Sequence, residues 1–344
     1  MKGWVVRQHG GPEALEWADL PTPEPGDGEV RVRVRACALN RLDLWVREGV
    51  PGHAFPLPLV PGSEIAGIVD AIGRSVEGIE PGSATLVAPG VSCGSCTRCA
   101  ADEDMLCRHY GILGEHRNGG YAESVVVPAR NILPMPTRLA FAEAAALPLV
   151  FLTAWHMLRT RAALQPGEDV LIHAAGSGVS SAGIQIARLA GAERIITTAG
   201  SDTKLEKALE LGATHAINYR AEDFAAAVRG ITGRKGVDVV FDHVGGETFE
   251  QSLELLGWGG RLVLCGSTTA PNADVNLRRL FFKNQAILGS TMGSLSELRQ
   301  LLEFVETGDL EPVVDRTLPL KEAVQAQAAL ENRELFGKIV LTID

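Results

Sequence analysis

Four of the six cysteines in this chain fall within one short stretch, Cys93-Gly94-Ser95-Cys96-Thr97-Arg98-Cys99 and then Cys107. Intervals of three, three and eight positions let four thiolates close a tetrahedron around one Zn²⁺, with the backbone looping between them. All four coordination positions are then protein, so the ion is structural rather than catalytic. Disulfides or scattered buried thiols are the other use of such residues. The opening Met1-Lys2-Gly3-Trp4 has no apolar run of the signal-peptide type. A reducing cytoplasm is therefore the expected setting, and there clustered cysteines mean metal rather than crosslinks.

A chain of 344 residues allows two domains with good cores. Its net charge of −10 argues against nucleic acid or an anionic membrane as partner. No stretch approaches the ~18 uncharged apolar residues of a membrane helix. The first ~140 residues are rich in Gly and Pro, with short runs of strand character. Glu29 to Ala38 alternates, with Val30, Val32 and Val34 on one side and Arg31, Arg33 and Arg35 on the other, as in a half-exposed strand. Further strands are expected at 65–72 and 84–88, with turns at Pro61-Gly62, Pro81-Gly82 and Pro89-Gly90. This region reads as a small, mostly β domain.

From about Phe141 the texture changes to alternating strands and helices. Strands are expected at 169–173, 194–198, 216–218, 237–241 and 261–265, and helices at 181–190, 203–211, 221–229 and 248–256. Such alternation argues for an α/β fold with a parallel sheet wrapped on both faces. A helix at 294–307 and a last strand at 337–342, expected to rejoin the first domain, complete the chain. The expected domains are 1–150 with 291–344, and 151–290.

The turn Ala174-Ala175-Gly176-Ser177-Gly178-Val179-Ser180-Ser181 follows the first of these strands and opens a helix. Small residues there let backbone N–H groups approach a pyrophosphate at the positive helix end, which points to a dinucleotide. An NAD site offers an acid at the end of the next strand. That strand ends instead in Thr197-Thr198-Ala199-Gly200-Ser201, with Asp202 already at a helix start and Lys204 two positions on. Without a carboxylate there, nothing repels a 2′-phosphate, and Ser201 with Lys204 could hold one. NADPH is the preferred cofactor, with NADH as the alternative. The plain reading of the same residues is an N-cap at Ser201 or Asp202 and a solvated Lys204.

Both halves resemble the medium-chain dehydrogenase/reductases, which include zinc alcohol dehydrogenases and quinone oxidoreductases. The resemblance spans essentially the whole chain. It rests on the 35–43 segment around Asn40, on Pro61-Gly62-Ser63-Glu64-Ile65-Ala66-Gly67, and on the four-cysteine loop. Gly119-Gly120-Tyr121-Ala122-Glu123, the phosphate turn and Val237-Asp238-Val239-Val240-Phe241-Asp242 complete it. It implies a GroES-like catalytic domain split around a Rossmann domain, and a homodimer or homotetramer. It also implies that Thr153 contacts the nicotinamide region and Ser177, Gly178 and Val179 the pyrophosphate. Ser201, Lys204 and Tyr219 would surround the adenosine phosphate, and Val244, Gly266 and Ser267 would line the nicotinamide-side loops.

The catalytic zinc of the alcohol dehydrogenases takes ligands at positions that here are Asn40, Ser63 and Leu149 by the same resemblance. These residues lack the soft and imidazole donors that Zn²⁺ prefers. Glu64 remains, and a nearby Arg is its expected partner. The proton-relay positions resemble Leu42 and Trp45. The pattern is that of zinc-independent enone and quinone reductases. Asn40 is then the candidate catalytic contact to the substrate oxygen, against a plain role in a local Asx-turn. None of the eight histidines is assigned to metal. His173 is expected to be a satisfied core residue. Two competing readings are a zinc alcohol dehydrogenase that recruits His53 and Glu64, and a non-catalytic dinucleotide-binding protein.

Overall fold

The valine alternation in Glu29–Ala38 places this strand at the heart of the first sheet. Val30, Val32 and Val34 are fully buried, while Arg33 stays exposed. From Ala36 to Ala38 both faces are covered. A computed structural model describes every residue of the chain except Glu247. Among the described residues the chain forms two compact units, 1–149 with 294–308 and 312–344, and 150–293 with 309–311.

In the first unit the strands run in the order Val314–Pro319, Lys338–Thr342, Glu29–Ala38, Glu64–Ile72, Ala84–Val87 and Ile132–Pro134. Ser124–Pro128 pairs with the early part of Glu29–Ala38. The last strand does rejoin this unit, with Val340 opposite Ala38 and Leu341 opposite Cys37, antiparallel. The core gathers Val30, Val32, Val34, Cys37, Ile65, Val69, Ile339 and Leu341.

A helix that the hydrophobic pattern did not announce, Arg41–Glu48, follows the central strand. Its start was legible in capping chemistry, because Asn40 is followed three positions on by Asp43. The Asp43 carboxylate accepts from the Asn40 backbone N–H at 2.7 Å and from the Gly62 N–H at 3.0 Å. The Tyr121 hydroxyl donates to it at 3.3 Å. Three segments distant in sequence thus meet on one buried acid. Burial pushes that acid up to about 6, despite the donors around it. Gly62 sits at φ +100°, and a Cβ there would lie 2.5 Å from the Tyr121 ring and 2.7 Å from Cys37 Sγ. Only glycine meets both demands.

The second unit carries six parallel strands among the described residues. Their order is His215–Asn218, Arg194–Ala199, Asp169–Ile172, Val237–Asp242, Leu256–Leu264, Ala286–Gly289. Numbered along the chain, that is 3-2-1-4-5-6, the doubly wound dinucleotide-binding order. Its core includes Leu171, Ile196, Ile217, Val240 and Leu262. Capping explains where the helices depart from their expected starts. The first begins at Gly178 rather than Ser181, because the Ser177 hydroxyl accepts from the Ser180 N–H at 3.1 Å. The helix expected from Ala221 begins at Phe224, because Asp223 accepts from the N–H groups of Ala225 and Ala226. The strand expected at 261–265 runs as Leu256–Leu264, its pairing irregular near Val237. No described helix is long and apolar enough to cross a membrane.

Asp43→Asn should destabilise the first unit by about 1–3 kcal/mol, since either amide orientation sets an N–H against a buried backbone N–H. Urea unfolding of the purified chain measures this. A midpoint unchanged from the parent would show that Asp43 does not tie these segments together.

Candidate functional site

The thiols of Cys93, Cys96, Cys99 and Cys107 converge, as their spacing requires. All four sulfurs lie within 4.8 Å of one another. Cys93 to Cys107 is 3.5 Å, Cys96 to Cys99 is 3.6 Å and Cys93 to Cys99 is 3.9 Å. Four Zn–S bonds of about 2.3 Å at tetrahedral angles put neighbouring sulfurs roughly 3.8 Å apart. All six cysteines are free of disulfides. The N–H groups of Cys93 and His109 point at the Cys107 sulfur, at 3.5 and 3.4 Å. Those of Ser95 and Cys96 pull the Cys93 thiol down to about 5. Cys93 is thus drawn toward the thiolate, the form that binds metal.

Asn40 follows the central strand as the N-cap residue of the Arg41–Glu48 helix, yet its side chain makes no cap hydrogen bond. It turns instead to a buried ion pair. Lys338 Nζ lies 2.6 Å from Glu64 Oε2 and donates to Asn40 Oδ1 at 2.6 Å. Asn40 Nδ2 donates to Glu64 Oε2 at 3.1 Å. The second carboxylate oxygen accepts from the Leu149 N–H at 2.7 Å. Glu64 is fully buried, and Asn40 and Lys338 are nearly so. The partner expected for Glu64 was an arginine; the structure supplies Lys338, from the last strand, because the pairing of 338–342 with 36–38 delivers it there. No sequence spacing could have revealed a partner so far along the chain.

This donor set does not suit a catalytic zinc. A fixed ammonium already occupies the neighbourhood, Asn40 and Glu64 are committed to it, and Leu149 offers only a backbone N–H. The Ser63 hydroxyl is buried without a hydrogen-bond partner. His53, the proposed recruit for Glu64, instead has its Nε2 3.3 Å from Glu115.

In the second unit the phosphate turn meets the turn after Val237–Asp242. Ser177 and Ser180 hydroxyls lie 3.0 and 2.9 Å from His243 Nε2, and Ser180 also donates to the His173 carbonyl at 2.7 Å. Both serine hydroxyls are thus held by protein groups. His243 stands beside the candidate phosphate turn, a neighbour that no local sequence feature marks. Gly178 and Val179 form the first turn of the helix and present its free N–H end. Val244 N–H donates to Asp242 at 2.7 Å, and the Val244 carbonyl accepts from Thr268 at 3.0 Å. That bond draws the Gly266-Ser267 turn alongside, where Ser267 packs over Gly245. Thr153 lies in the Pro148–Trp155 helix, and its buried hydroxyl has no hydrogen-bond partner. An unpaired hydroxyl of this kind fits a ligand amide.

At the end of Arg194–Ala199, Gly200 is covered by Tyr219 and Arg220. A Cβ on Gly200 would lie 2.7 Å from the Tyr219 hydroxyl and 3.0 Å from Arg220 Nε. Ser201 is the N-cap residue of Asp202–Glu210 but makes no side-chain cap bond, and Lys204 lies in the first turn. Asp202 is taken by Asn218 at 2.7 Å. Arg220 joins Ser201, Lys204 and Tyr219 at this end, and sequence reading missed it. His173 is the satisfied core residue expected, bonded to Thr198 at 3.1 Å and Ser252 at 2.8 Å, and burial pulls it down to about 4.

Residues 26–137 match the alcohol dehydrogenase GroES-like domain, and residues 178–307 match the zinc-binding dehydrogenase domain. The chain is 32% identical to a 2-haloacrylate reductase of Burkholderia sp, over 98% of this chain and 97% of that protein. It is 28% identical to the quinone oxidoreductase of Homo sapiens, over 100% and 98%. A solved NAD-dependent alcohol dehydrogenase is 51% identical, with full coverage of both chains and a TM-score of 0.96. These likenesses, with the two-unit fold and the thiol cluster, make the chain an NAD(P)-dependent oxidoreductase of the medium-chain dehydrogenase/reductase family.

Proposed function

We propose that the chain is an NADPH-dependent reductase of conjugated carbonyl compounds, enones or quinones. In this reading Cys93, Cys96, Cys99 and Cys107 hold one structural zinc, and no metal serves the chemistry at Asn40, Ser63 and Leu149. The observation that carries it is the buried Lys338 ammonium, 2.6 Å from both Asn40 and Glu64. A second cation there would face repulsion and few free donors. The 2-haloacrylate reductase and quinone oxidoreductase among the relatives support the substrate class.

Bound nicotinamide supplies the hydride. Reduction at the β-carbon moves negative charge onto the substrate's carbonyl oxygen, and a hydrogen-bond donor must meet it. The Asn40 amide has two N–H bonds. One goes to Glu64, and the other has only a long 3.5 Å contact with the Ala38 carbonyl. The second is the donor we assign to the substrate. Lys338 draws electron density from the Asn40 carbonyl and so strengthens that donor. For the cofactor, Thr153 would take the nicotinamide amide, and Ser177, Gly178 and Val179 would hold the pyrophosphate. Ser201, Lys204 and Tyr219, with Arg220, would hold the 2′-phosphate. Val244, Gly266 and Ser267 would line the nicotinamide side.

Exposed Trp258, Leu277, Phe281 and Phe282, each 65–70% accessible, support a homo-oligomer formed through the second unit. Six free thiols suit a reducing cytoplasm.

A panel of enones, quinones and primary alcohols, each with NADPH or NADH, tests the reading. Turnover of enones or quinones with NADPH is expected, insensitive to chelators while the thiol-bound zinc is retained. The likeness to an NAD-dependent alcohol dehydrogenase favours a second reading. Chelator-sensitive activity confined to alcohols would establish it and overturn ours. Asn40→Ala should lower kcat by roughly 10²–10³-fold with little change in KM. Lys204→Ala should raise KM for NADPH roughly tenfold or more while leaving KM for NADH alone. Equal effects on the two cofactors would remove Lys204 from the phosphate site.

A further inference from the structure

The preferred sequence reading assigns no histidine to metal, but the fold brings two of them to one carboxylate. One nitrogen each of His53 and His116 and one oxygen of Glu115 lie within 4.8 Å of one another. His53 Nε2 is 3.3 Å from Glu115 Oε1, and His116 Nδ1 is 3.7 Å from Glu115 Oε2. Bonds of about 2.0–2.2 Å at tetrahedral angles place neighbouring donors roughly 3.3–3.6 Å apart. The His53–Glu115 distance already falls in that range, and the His116–Glu115 distance lies just outside it. We propose that His53, Glu115 and His116 form a second metal site, for a borderline divalent transition ion such as Zn²⁺ or Co²⁺.

The local structure suits that role. His53 closes a short turn bridged to Val50, and its ring packs edge-on against Phe55 with centroids 4.5 Å apart. Glu115 and His116 sit in a turn bounded by the Leu113–Arg117 bridge. The two rings stand at 87°, with centroids 5.8 Å apart. The carboxylate is only 12% exposed, while the imidazoles are 38% and 41% exposed. An ion could therefore enter from solvent and find the acid beneath it. His116 Nδ1 accepts from the Ile112 N–H at 3.2 Å, so that nitrogen carries a lone pair, and coordination through it displaces this bond. Two imidazoles and one carboxylate leave at least one coordination position for water or another oxygen ligand. The ion would tie together two loops of the first unit. Neither Glu64 nor Asn40 takes part, so the inference is independent of the reduction proposed above.

The test uses the full chain with its thiol loop loaded with zinc, titrated with Co²⁺. One further equivalent should bind saturably and give visible d–d absorption without the thiolate-to-metal charge-transfer band of a cysteine site. That equivalent should be lost in His53→Ala and in His116→Ala, and weakened in Glu115→Gln. Both histidines are partly exposed, and retained zinc shows that each variant is folded. Absence of saturable binding, or binding undiminished in both histidine variants, would overturn the proposal. The trio would then be an ordinary hydrogen-bonded surface cluster.

Discussion

A lysine ammonium shut away from water governs the first unit. Lys338 can be buried only because Glu64, Asn40 and the Leu39 carbonyl surround it. With Lys338 itself, three places along the chain meet here: Leu39 and Asn40 just past the central strand, Glu64 at the start of its neighbour, and Lys338 in the last strand. Removing either Glu64 or Lys338 would leave an uncompensated buried charge, a loss of several kcal/mol. The fold must therefore bring all three segments into register together. Asp43 imposes the same discipline one turn away, by collecting the N–H groups of Asn40 and Gly62 with the Tyr121 hydroxyl.

That arrangement also separates two roles for metal. The thiol loop offers four soft donors already spaced for a tetrahedral ion, each from a short stretch of backbone. The Asn40 region offers a fixed organic cation and hydrogen bonds. An ammonium can polarise an amide, but it has no empty orbital to receive a substrate oxygen. In the reduction we propose, the charge that develops would be met by N–H groups, which favours substrates able to spread it.

Much of this was legible in the residues. The Val30, Val32, Val34 alternation set the central strand, and the intervals among Cys93, Cys96, Cys99 and Cys107 set the thiol cluster. Alternating strands and helices after Phe141 set the parallel sheet. Each of these is a local signal with its own period. What escaped depended on contacts between distant segments. Lys338 as partner of Glu64, His243 on Ser177 and Ser180, Arg220 over Gly200, and His53 beside Glu115 are joined only by the folded chain. The missed Arg41–Glu48 helix is different. Its capping signal at Asn40 and Asp43 is present, but its buried face carries the charged Asp43 and Arg47, which breaks the apolar period.

The last strand carries one more implication, for the order of assembly. The second unit is drawn almost wholly from the unbroken stretch 150–293. It can form as soon as that stretch has left the ribosome. The first unit has no such freedom. Residues 36–38 lack an edge partner, and Glu64 lacks its counter-ion, until residues 338–342 have been synthesised. The region holding Asn40 thus depends on residues made after the whole second unit, and a chain ending before residue 338 would leave that sheet edge unpaired.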